Sequence, residues 1–383
     1  MSNHLHIVSF DVPYPPNYGG VIDVFYKLKW LHHIGIKIHL HCFQYGREKS
    51  EELNKYCEEV IYYNRPSGLK YSLSKLPYTV ATRKSDELKK NLLRDNHPIL
   101  FEVLNTCFLL KDKAFAGRLK IYRHSNIEHD YYRGLAKSEP NLIKRIYFNQ
   151  EANKLQKFEP IIANADYILS VNEHDKSYFE KKYKSPKTIY LPSFTKFESV
   201  ISKTGKGNYI LYQGNLSINE NIDAALWLID NVFCKINFSV KIAGLNPPQR
   251  LISKIQNHKN IELIVNPNED EMSRLIENAH IHVLYTDQAT GLKLKLLNVL
   301  FTGRHILTNQ NMLEGSGIFS HSGLSICNSG NEFVQNIEQM MSAQFDNEHI
   351  IERKKALALH DNFTKAETIN HLISKWFSQK NGL

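Results

Sequence analysis

Short runs of β-branched and aromatic residues alternate with amphipathic segments along the whole chain, and this alternation is the strongest constraint on its fold. Such alternation is typical of βα units, which build parallel sheets. A first series of runs predicts strands over His4–Phe10, Ile36–Phe43, Val60–Tyr63, Pro98–Leu104, Leu119–His124 and Tyr167–Val171. A second series predicts strands over Tyr209–Gln213, Phe238–Ala243, Ile261–Val265, Ile281–Tyr285, His305–Thr308 and Leu324–Cys327. We therefore expect an α/β protein made of two doubly wound, Rossmann-like sheets.

A polar segment with two glycines, residues 201–208, separates the two series. At roughly 100–200 residues per domain, a chain of 383 residues is long enough for two domains. We predict one α/β domain over 1–200 and a second over 201–360, with ligands in a cleft at the carboxyl ends of the strands. Residues 361–383 are predicted to form a last helix, a candidate for packing on the first domain.

Net charge and cysteine content indicate which kind of partner and which cellular compartment to expect. The 48 Lys and Arg against 39 Asp and Glu leave a net charge of +9, which favours an anion such as a nucleotide, a phosphorylated lipid or an acidic membrane face. Five scattered cysteines without a CxxC pair argue against a disulfide framework or a structural zinc site and favour a reducing compartment. The first residues show neither the basic flank nor the apolar stretch of a signal peptide, so none is expected, and no apolar run approaches about 18 residues. We expect a cytoplasmic protein that could contact the inner face of the membrane.

The segment 290–303 carries the sharpest functional pattern. On a helix, four of its residues would share one face at positions i, i+4, i+7 and i+11, namely Gly291, Lys295, Asn298 and Thr302. Leucines and a valine cover most of the remaining surface, so the helix is expected to be buried. A buried lysine needs an anionic partner, and a diphosphate beside Lys295 would supply it. The alternative is that Lys295 extends to solvent or pairs within the protein.

Two further segments follow predicted strands of the first domain. The loop 13–20 ends in Gly19 and Gly20 directly before a helix, where backbone N–H groups can approach an anion closely; the alternative is a simple turn. The segment 122–132 is rich in titratable side chains. Its local alternative is a helix cap by Ser125 or Asn126, with an acid in the first turn.

Two other polar segments, each directly after a strand, predict helix N-caps. Asn172 precedes a helix in the first domain, and Asn268 precedes three acidic residues in the second.

Together these segments resemble those of retaining glycosyltransferases of the GT-B fold and family-4 type, which use a nucleotide-sugar donor. The loop ending in Gly19-Gly20 is similar to that family's donor-facing glycine loop. The segment 212–217 is similar to the opening of its second domain, and 241–244 resembles its next strand and glycine turn. The segment 290–303 occupies the place of its donor-binding E-x7-E helix.

The sequence departs from the family pattern at three positions. The second glutamate of E-x7-E, which in the family holds the ribose, falls on Asn298, and the first, which contacts the donor sugar, falls on Thr290. The arginine that often follows the glycine at Gly214 is Asn215. Lys293 and Lys295 are candidates to replace its charge.

The resemblance implies that the first domain lies on the acceptor side and that the second binds the nucleotide-sugar. It also implies site residues in each domain. Donor binding is assigned to Gly19, Gly20, Gly214, Asn215, Asn266, Thr290, Gly291, Leu292, Lys293, Lys295 and Asn298. The stretch at 123–128 is similar to the family's Arg-x-His-Asn-x-Glu stretch, and the catalytic assignment there is His124, Asn126, Glu128 and His129.

The implied reaction transfers a sugar, with retention, from a nucleotide-diphosphate-sugar to a glycan or lipid-linked acceptor in cell-envelope polysaccharide or glycolipid synthesis. By the same resemblance no metal and no cofactor is expected. Nucleic acid is not expected as a partner, because no helix-turn-helix, zinc-finger or RNP pattern accompanies the positive charge. Two alternatives stay open: a nucleotide-sugar epimerase of the same fold, and a non-catalytic nucleotide- or sugar-binding protein.

Overall fold

The computed structural model describes residues 3–287 and 294–380. The chain divides into two compact units. The first takes the described residues up to Lys196 and from Leu359 onward, and the second is Phe197–Ala358. Within the described residues, each unit is built on one parallel sheet, of seven strands in the first and six in the second. No helix in this part of the chain has the length and apolar character needed to cross a bilayer.

The sheet of the first unit has the strand order β3-β2-β1-β4-β5-β6-β7. Its strands are β1 His4–Ser9, β2 Lys37–Gln44, β3 Glu59–Asn64, β4 Ile99–Glu102, β5 Lys120–Arg123, β6 Tyr167–Ser170 and β7 Lys187–Tyr190. Its helices are α1 Gly19–His33, α2 Leu69–Ser72, α3 Tyr78–Ala81, α4 Asp86–Leu92, α5 Glu128–Ser138, α6 Leu142–Phe158 and α7 Glu173–Lys182. The connection after β1 leads to β2, whereas the connection after β4 leads to β5 in the opposite direction, so the switch point lies between β1 and β4. Ligands of such sheets bind at this point.

The sheet of the second unit has the order β10-β9-β8-β11-β12-β13, with its switch point between β8 and β11. Its strands are β8 Ile210–Asn215, β9 Val240–Leu245, β10 Ile261–Val265, β11 Ile281–Leu284, β12 His305–Thr308 and β13 Leu324–Ile326. Its helices are α8 Asn219–Asn231, α9 Gln249–Gln256, α10 Glu269–Asn278, α11 Leu294–Thr302, α12 Gln310–Leu313, α13 Gly330–Ser342 and α14 Asn347–Ala356.

The last helix, α15 Asn362–Lys380, returns to the first unit. Its residues Ala366, Ile369 and Ile373 share one core cluster with Leu28 and Leu31 of α1. The first unit is therefore completed by the end of the chain, although most of its residues come from the beginning.

The predicted α/β class with two doubly wound parallel sheets is confirmed. Each strand predicted from the sequence is present, with its ends shifted by no more than two residues. The long helix predicted from 141 ends as an α-helix at Phe158 and continues as a 3-10 segment, Glu159–Asn164. Pro160 lies at the start of that segment, as expected for a residue that cannot donate a backbone hydrogen bond.

Candidate functional site

The carboxyl edge of the first sheet contains a buried ion network of two acids and two bases. Its members are Asp23 and Lys27 of α1, Glu102 at the end of β4 and Arg123 at the end of β5. Lys27 Nζ lies 3.0 Å from Asp23 Oδ2 and 2.6 Å from Glu102 Oε1, and Arg123 Nε lies 3.0 Å from Asp23 Oδ2. Burial alone would raise the pKa of the Asp23 carboxyl, but the charges of Arg123 and Lys27 hold it well below its ordinary value.

The same network fixes the chain that follows β7. Arg123 donates hydrogen bonds to the carbonyls of Leu191 at 2.5 Å and Pro192 at 3.2 Å, and the N–H of Phe194 donates to Asp23 at 2.7 Å. The four charges thus compensate one another inside the unit, so the network is a structural feature that holds strand ends and α1 in register.

The loop after β1 is held from two sides. Arg47 donates to Asn17 Oδ1 at 2.9 Å and to the carbonyl of Pro15, and the Tyr18 hydroxyl donates to Asp11 Oδ2 at 2.9 Å. Helix α1 begins at Gly19, so the glycine pair forms its first turn. No side chain caps this turn. A Cβ on Gly20 would lie only 2.6 Å from Phe10 Cζ, so glycine lets the loop pack on the start of the helix.

Glu128 is the most chemically distinctive of the predicted first-domain residues. It is the first residue of α5, just beyond the carboxyl end of β5, and only 8% of it is exposed. Burial raises the pKa of its carboxyl to about 7, against the opposing charge of Arg83. The Arg83 guanidinium donates to the carbonyl of Phe10 at 3.0 and 2.8 Å, so it ties the loop after β1 to the same region. A carboxyl with such a pKa can exchange a proton near neutral pH.

His124 lies at the end of β5 with no exposed surface. Its ring packs edge-on against Phe179 at 4.7 Å, and its Nε2 lies 3.4 Å from Asp175 Oδ2. Burial lowers the pKa of His124 to about 4, although the charge of Asp175 opposes the shift. The imidazole is therefore neutral at pH 7 and enclosed by its own unit.

His129 is also buried and faces an interior carboxylate. Its Nδ1 lies 3.1 Å from Glu159 Oε2, and Glu159 also accepts from Tyr178 at 2.8 Å, Tyr183 at 2.9 Å and Lys182 at 2.5 Å. Burial would raise the pKa of the Glu159 carboxyl, but the hydrogen bonds from His129, Lys182 and Tyr178 hold it at about 2. This arrangement ties α5 to the segment after α6 and to α7.

The turn after β8 forms the centre of the second-unit edge. Asn215 Oδ1 accepts from the Ser217 N–H at 3.0 Å, and the Asn215 carbonyl accepts from Asn221 Nδ2 at 3.0 Å. Asn221 Oδ1 in turn accepts from Lys295 Nζ at 2.9 Å. A Cβ on Gly214 would lie 3.2 Å from Asn221 Cγ, so the glycine permits this close approach. The predicted donor residues Gly214, Asn215 and Lys295 are thereby brought together.

Lys295 projects from α11 over the face of Tyr212, with its Nζ 5.7 Å from the ring centroid. The ammonium carries three donors, and the Asn221 amide oxygen orients one of them toward the β8 turn. The contact with Asn221 agrees with the alternative that Lys295 pairs within the protein.

A second polar group flanks this turn on the other side of the switch point. Thr286, just after β11, donates its hydroxyl to Glu220 Oε1, and its carbonyl accepts from Asn309 Nδ2 at 2.7 Å. The ends of β8, β11 and β12 are therefore joined by side chains that are mainly amides and hydroxyls.

The remaining predicted donor residues do not hydrogen-bond to the turn after β8 in the described part of the chain. Asn298 lies one turn beyond Lys295 on α11 and is half-buried. Asn266 is exposed after β10, with a positive φ of 51°, and its Oδ1 accepts from the Asn246 N–H at 2.7 Å. Thr290, Gly291, Leu292 and Lys293 lie outside the described residues.

Two of the predicted helix caps are confirmed and one is wrong. Asn172 caps α7 by accepting from the Asp175 N–H, and Asn268 forms a capping box with Glu271 at the start of α10. The cap of α5 is Ile127, which offers no side-chain acceptor, so neither Ser125 nor Asn126 caps that helix. The helix begins two residues later than the polar pair, because the chain after β5 first makes a bend at 125–126.

The two edges also contain several residues for which the sequence predicted no role. Asp11, Arg83, Glu220 and Asn309 each act through partners more than five residues away or across strands. A usable signal existed for Asp11 alone, since it directly follows a strand beside the glycine loop.

No family model matches the chain. It is 26% identical over 361 residues, 86% of this chain and 89% of the other, to a Klebsiella pneumoniae protein described as an uncharacterized 44.6 kDa protein in the cps region. Among solved structures, Anabaena Alr3699/HepE in complex with UDP and glucose matches with a TM-score of 0.59 at 10% identity, over 98% of this chain and 100% of that one.

Two further solved structures match over nearly the whole chain. Staphylococcus aureus TarM, a G117R mutant in complex with UDP and α-GlcNAc-glycerol among other ligands, has a TM-score of 0.60 at 9% identity, covering 98% and 99% of the two chains. The α,α-trehalose 6-phosphate synthase of Burkholderia multivorans has a TM-score of 0.58 at 9% identity, covering 99% and 100%. Together with the two parallel sheets, these similarities show that the chain has the GT-B fold.

Proposed function

We propose that this protein is a glycosyltransferase that moves a sugar from a nucleotide-diphosphate-sugar to a hydroxyl group of an acceptor. The observation that carries this proposal is the position of Lys295. Its ammonium is held by Asn221 at the turn after β8, at the switch point of the second sheet. Ligands of doubly wound sheets bind at that point, and a diphosphate is a ligand that pairs with a lysine ammonium placed there.

The second unit is assigned the donor. The Gly214–Asn215 turn would approach the diphosphate, Lys295 would neutralise its charge, and Asn298 would hydrogen-bond the ribose. A uridine nucleotide is the first candidate, since structures of the same fold were solved with UDP or UDP-glucose. Asn266, Thr290, Gly291, Leu292 and Lys293 remain predictions for the same site.

The first unit is assigned the acceptor and the groups near the reacting centre. We assign Glu128 the contact with a sugar hydroxyl, because it is buried and its pKa of about 7 lets it accept or donate a hydrogen bond at neutral pH. His124, Asn126 and His129 are assigned positioning roles through β5 and α5. Gly19 and Gly20 supply uncapped N–H groups at the start of α1, which suit an anionic group.

The assigned chemistry is retention without a metal ion. Transfer would rest on electrostatic stabilisation of the departing diphosphate by Lys295 while the acceptor hydroxyl attacks the same face of the sugar. The family-4 type and the synthesis of cell-envelope polysaccharide or glycolipid belong to this proposal. The similarity to a protein of a cps region favours the polysaccharide context.

A lipid-linked acceptor would place the protein at the periphery of a membrane. The start of α6 favours this, since Leu142, Ile143 and Ile146 are exposed beside Lys144 and Arg145. Apolar side chains next to cations suit an anionic lipid surface, where each well-placed cation contributes about 1 kcal/mol. Co-sedimentation with phosphatidylglycerol vesicles should weaken in Ile143→Ser and stay unchanged in Phe319→Ser, an exposed apolar residue of the second unit.

The test of the donor site is thermal unfolding of the purified protein with UDP, GDP, ADP, CDP and their common sugar conjugates. A nucleotide present at a hundred times its Kd should add about 2.7 kcal/mol of stability. We expect UDP to raise the midpoint in the wild type and not in Lys295→Met. The matched control is Lys254→Met, which removes a partly exposed lysine of α9 from its pair with Asp230. A shift that survives in Lys295→Met would contradict the assignment.

Turnover then separates the transferase from the two alternatives. Release of free nucleoside diphosphate that requires an acceptor supports transfer. Interconversion of the nucleotide-sugar without an acceptor would support an epimerase. Nucleotide binding with no turnover across a panel of donors and acceptors would support a non-catalytic binding protein.

A further inference from the structure

Five histidines converge at the amino-terminal edge of the first sheet, opposite the edge that carries the candidate site. His4 and His6 lie on one face of β1, and His39 and His41 lie on the same face of β2, because alternate residues of a strand share a face. His97 joins them from the segment just before β4. These rings divide into an inner pair, His6 and His41, and an outer triad, His4, His39 and His97.

The inner pair belongs to a continuous chain of hydrogen bonds. Asn91 Nδ2 donates to the Tyr63 hydroxyl oxygen at 2.9 Å, so the single O–H of Tyr63 is available to donate to His41 Nδ1 at 2.8 Å. His41 Nε2–H then donates to His6 Nδ1 at 2.9 Å, and His6 Nε2–H donates to Asp95 at 2.9 Å. Counting donors and acceptors in this way assigns one tautomer to each ring, and all four ring nitrogens are used.

The outer triad has a different geometry. Its three rings are stacked, with interplanar angles of 12 to 21° and centroid separations of 4.4 to 5.7 Å. One nitrogen from each ring can be chosen so that all three lie within 4.8 Å of one another. His4 Nδ1 and His39 Nε2 are 2.9 Å apart. All three residues are half-buried, so an ion can reach them from solvent.

We propose that the outer triad binds a divalent transition-metal ion such as Zn²⁺, Ni²⁺ or Cu²⁺ through three imidazole nitrogens. Zn–N bonds of about 2.0–2.1 Å in a tetrahedral site require ligand nitrogens about 3.3 Å apart. The present separations bracket that value, and the stacked rings would turn out of their parallel planes so that all three lone pairs point at one ion. Imidazole ligands favour these ions over Mg²⁺ or Ca²⁺, which prefer oxygen. A water molecule would complete the coordination.

The surroundings of the triad suit a bound cation. Glu59 Oε2 lies 3.8 Å from His39 Nδ1 and places a negative charge beside the ring whose Nε2 would be the ligand. Asp95 Oδ1 accepts from the backbone N–H of His97 at 2.9 Å and so fixes the position of that ligand.

The bound ion would link β1, β2 and the segment before β4. Its role would be to stabilise the edge of the sheet, since the triad lies at the opposite end of the strands from Glu128 and Arg123. The site is therefore independent of the proposed transfer reaction, and its failure would leave that proposal untouched.

The experiment is isothermal titration of the full, untagged chain with ZnCl2 after treatment with a chelator. We expect one equivalent of Zn²⁺ to bind and to raise the thermal midpoint. Cobalt in place of zinc should give the visible d–d absorption of a tetrahedral nitrogen site. His39→Gln and His97→Gln should each weaken binding at least ~10-fold.

The matched control is His174→Gln, which removes an exposed histidine of α7 and should leave Zn²⁺ affinity unchanged. A second control is His6→Gln, which should lower stability through the inner chain of hydrogen bonds while the ion still binds. If His39→Gln fails to fold, His97→Gln alone decides, because His97 lies outside the strands. Absence of binding to the wild type, or equal binding to the His97→Gln variant and the wild type, would overturn the proposal.

Discussion

The carboxyl edges of the two sheets hold polar side chains that differ in burial and in charge balance. The first edge carries the buried ion network, in which two acids face two bases: Asp23, Lys27, Glu102 and Arg123. The second edge carries amides, a lysine and an acid at partly exposed positions: Asn215, Asn221, Asn298, Lys295 and Glu220. Charges that cancel one another inside a unit stabilise the fold, whereas a partly exposed lysine beside a strand end lies where a ligand can reach it.

Removing one member of the buried ion network should lower the stability of the protein more than any other substitution considered below. Asp23→Asn would leave Lys27 and Arg123 with a single buried acid, and breaking such a pair costs about 3–5 kcal/mol. We expect a large fall in the thermal midpoint of the first unit or loss of soluble protein. Asp223→Asn, which breaks the exposed pair with Arg250, should cost less than about 1 kcal/mol. Equal stability of the two variants would remove the contrast between the edges.

Glu128 should make the stability of the first unit fall as pH rises. The folded protein keeps the carboxyl protonated up to a pKa of about 7, whereas the unfolded chain releases the proton near 4.5. Unfolding therefore releases a proton between these values, and stability should decrease by roughly 3 kcal/mol from pH 4.5 to 7. Glu128→Gln should abolish this component, and Glu180→Gln, at an exposed position of α7, should retain it. Denaturant titrations at several pH values measure the difference.

At the second edge, a substitution should lower the turnover rate and leave the stability nearly unchanged. Lys295→Met should lower the rate of donor consumption about 10²-fold, the scale for losing one group that stabilises developing charge. Because Lys295 is only half-buried, its thermal midpoint without nucleotide should change little. Steady-state rates and unfolding curves on the same preparations test both parts. A variant that unfolds early yet turns over normally would reverse the roles of the two edges.

The smallest effect is expected at Asn298. A neutral hydrogen bond to a ribose hydroxyl contributes about 1 kcal/mol, so Asn298→Ala should raise the KM for the donor about fivefold with little change in kcat. A 2′-deoxyribose donor provides the matched comparison, since it should lose affinity with the wild type and not with the variant if Asn298 contacts that hydroxyl. Identical responses of both proteins to the two donors would argue against this contact.

The fold was readable from the sequence because parallel strands buried on both faces leave continuous apolar runs. Helix caps were readable where one side chain and the next turn suffice, as at Asn172 and Asn268. The buried ion network was not readable, because Lys27 meets Glu102 across 75 residues and Arg123 meets Asp23 across 100. Only the pairing of β4 with β5 and the packing of α1 bring these charges together.

Part of the candidate site could be predicted from the sequence, but the histidine cluster was not predicted. Gly214 and Lys295 carried a local pattern, and the structure places them at one turn through Asn221, a residue whose role depends on a contact across 74 residues. The spacing His4-x-His6 on one predicted strand and His39-x-His41 on the next was a signal, since alternate residues share a face. It becomes a cluster only when β1 and β2 are known to be neighbours in the right register.

The return of α15 to the first unit has a consequence for how the protein is made. A ribosome releases the chain from its beginning, and domains generally fold in the order in which they emerge. Here the core of the first unit lacks Ala366, Ile369 and Ile373 until all of Phe197–Ala358 has been synthesised. About 330 residues separate α1 from these side chains, so at roughly 5–20 residues per second the surface of α1 that they cover waits tens of seconds. The unit that is translated first is thus the last to be completed, and it is the one that chaperones would meet.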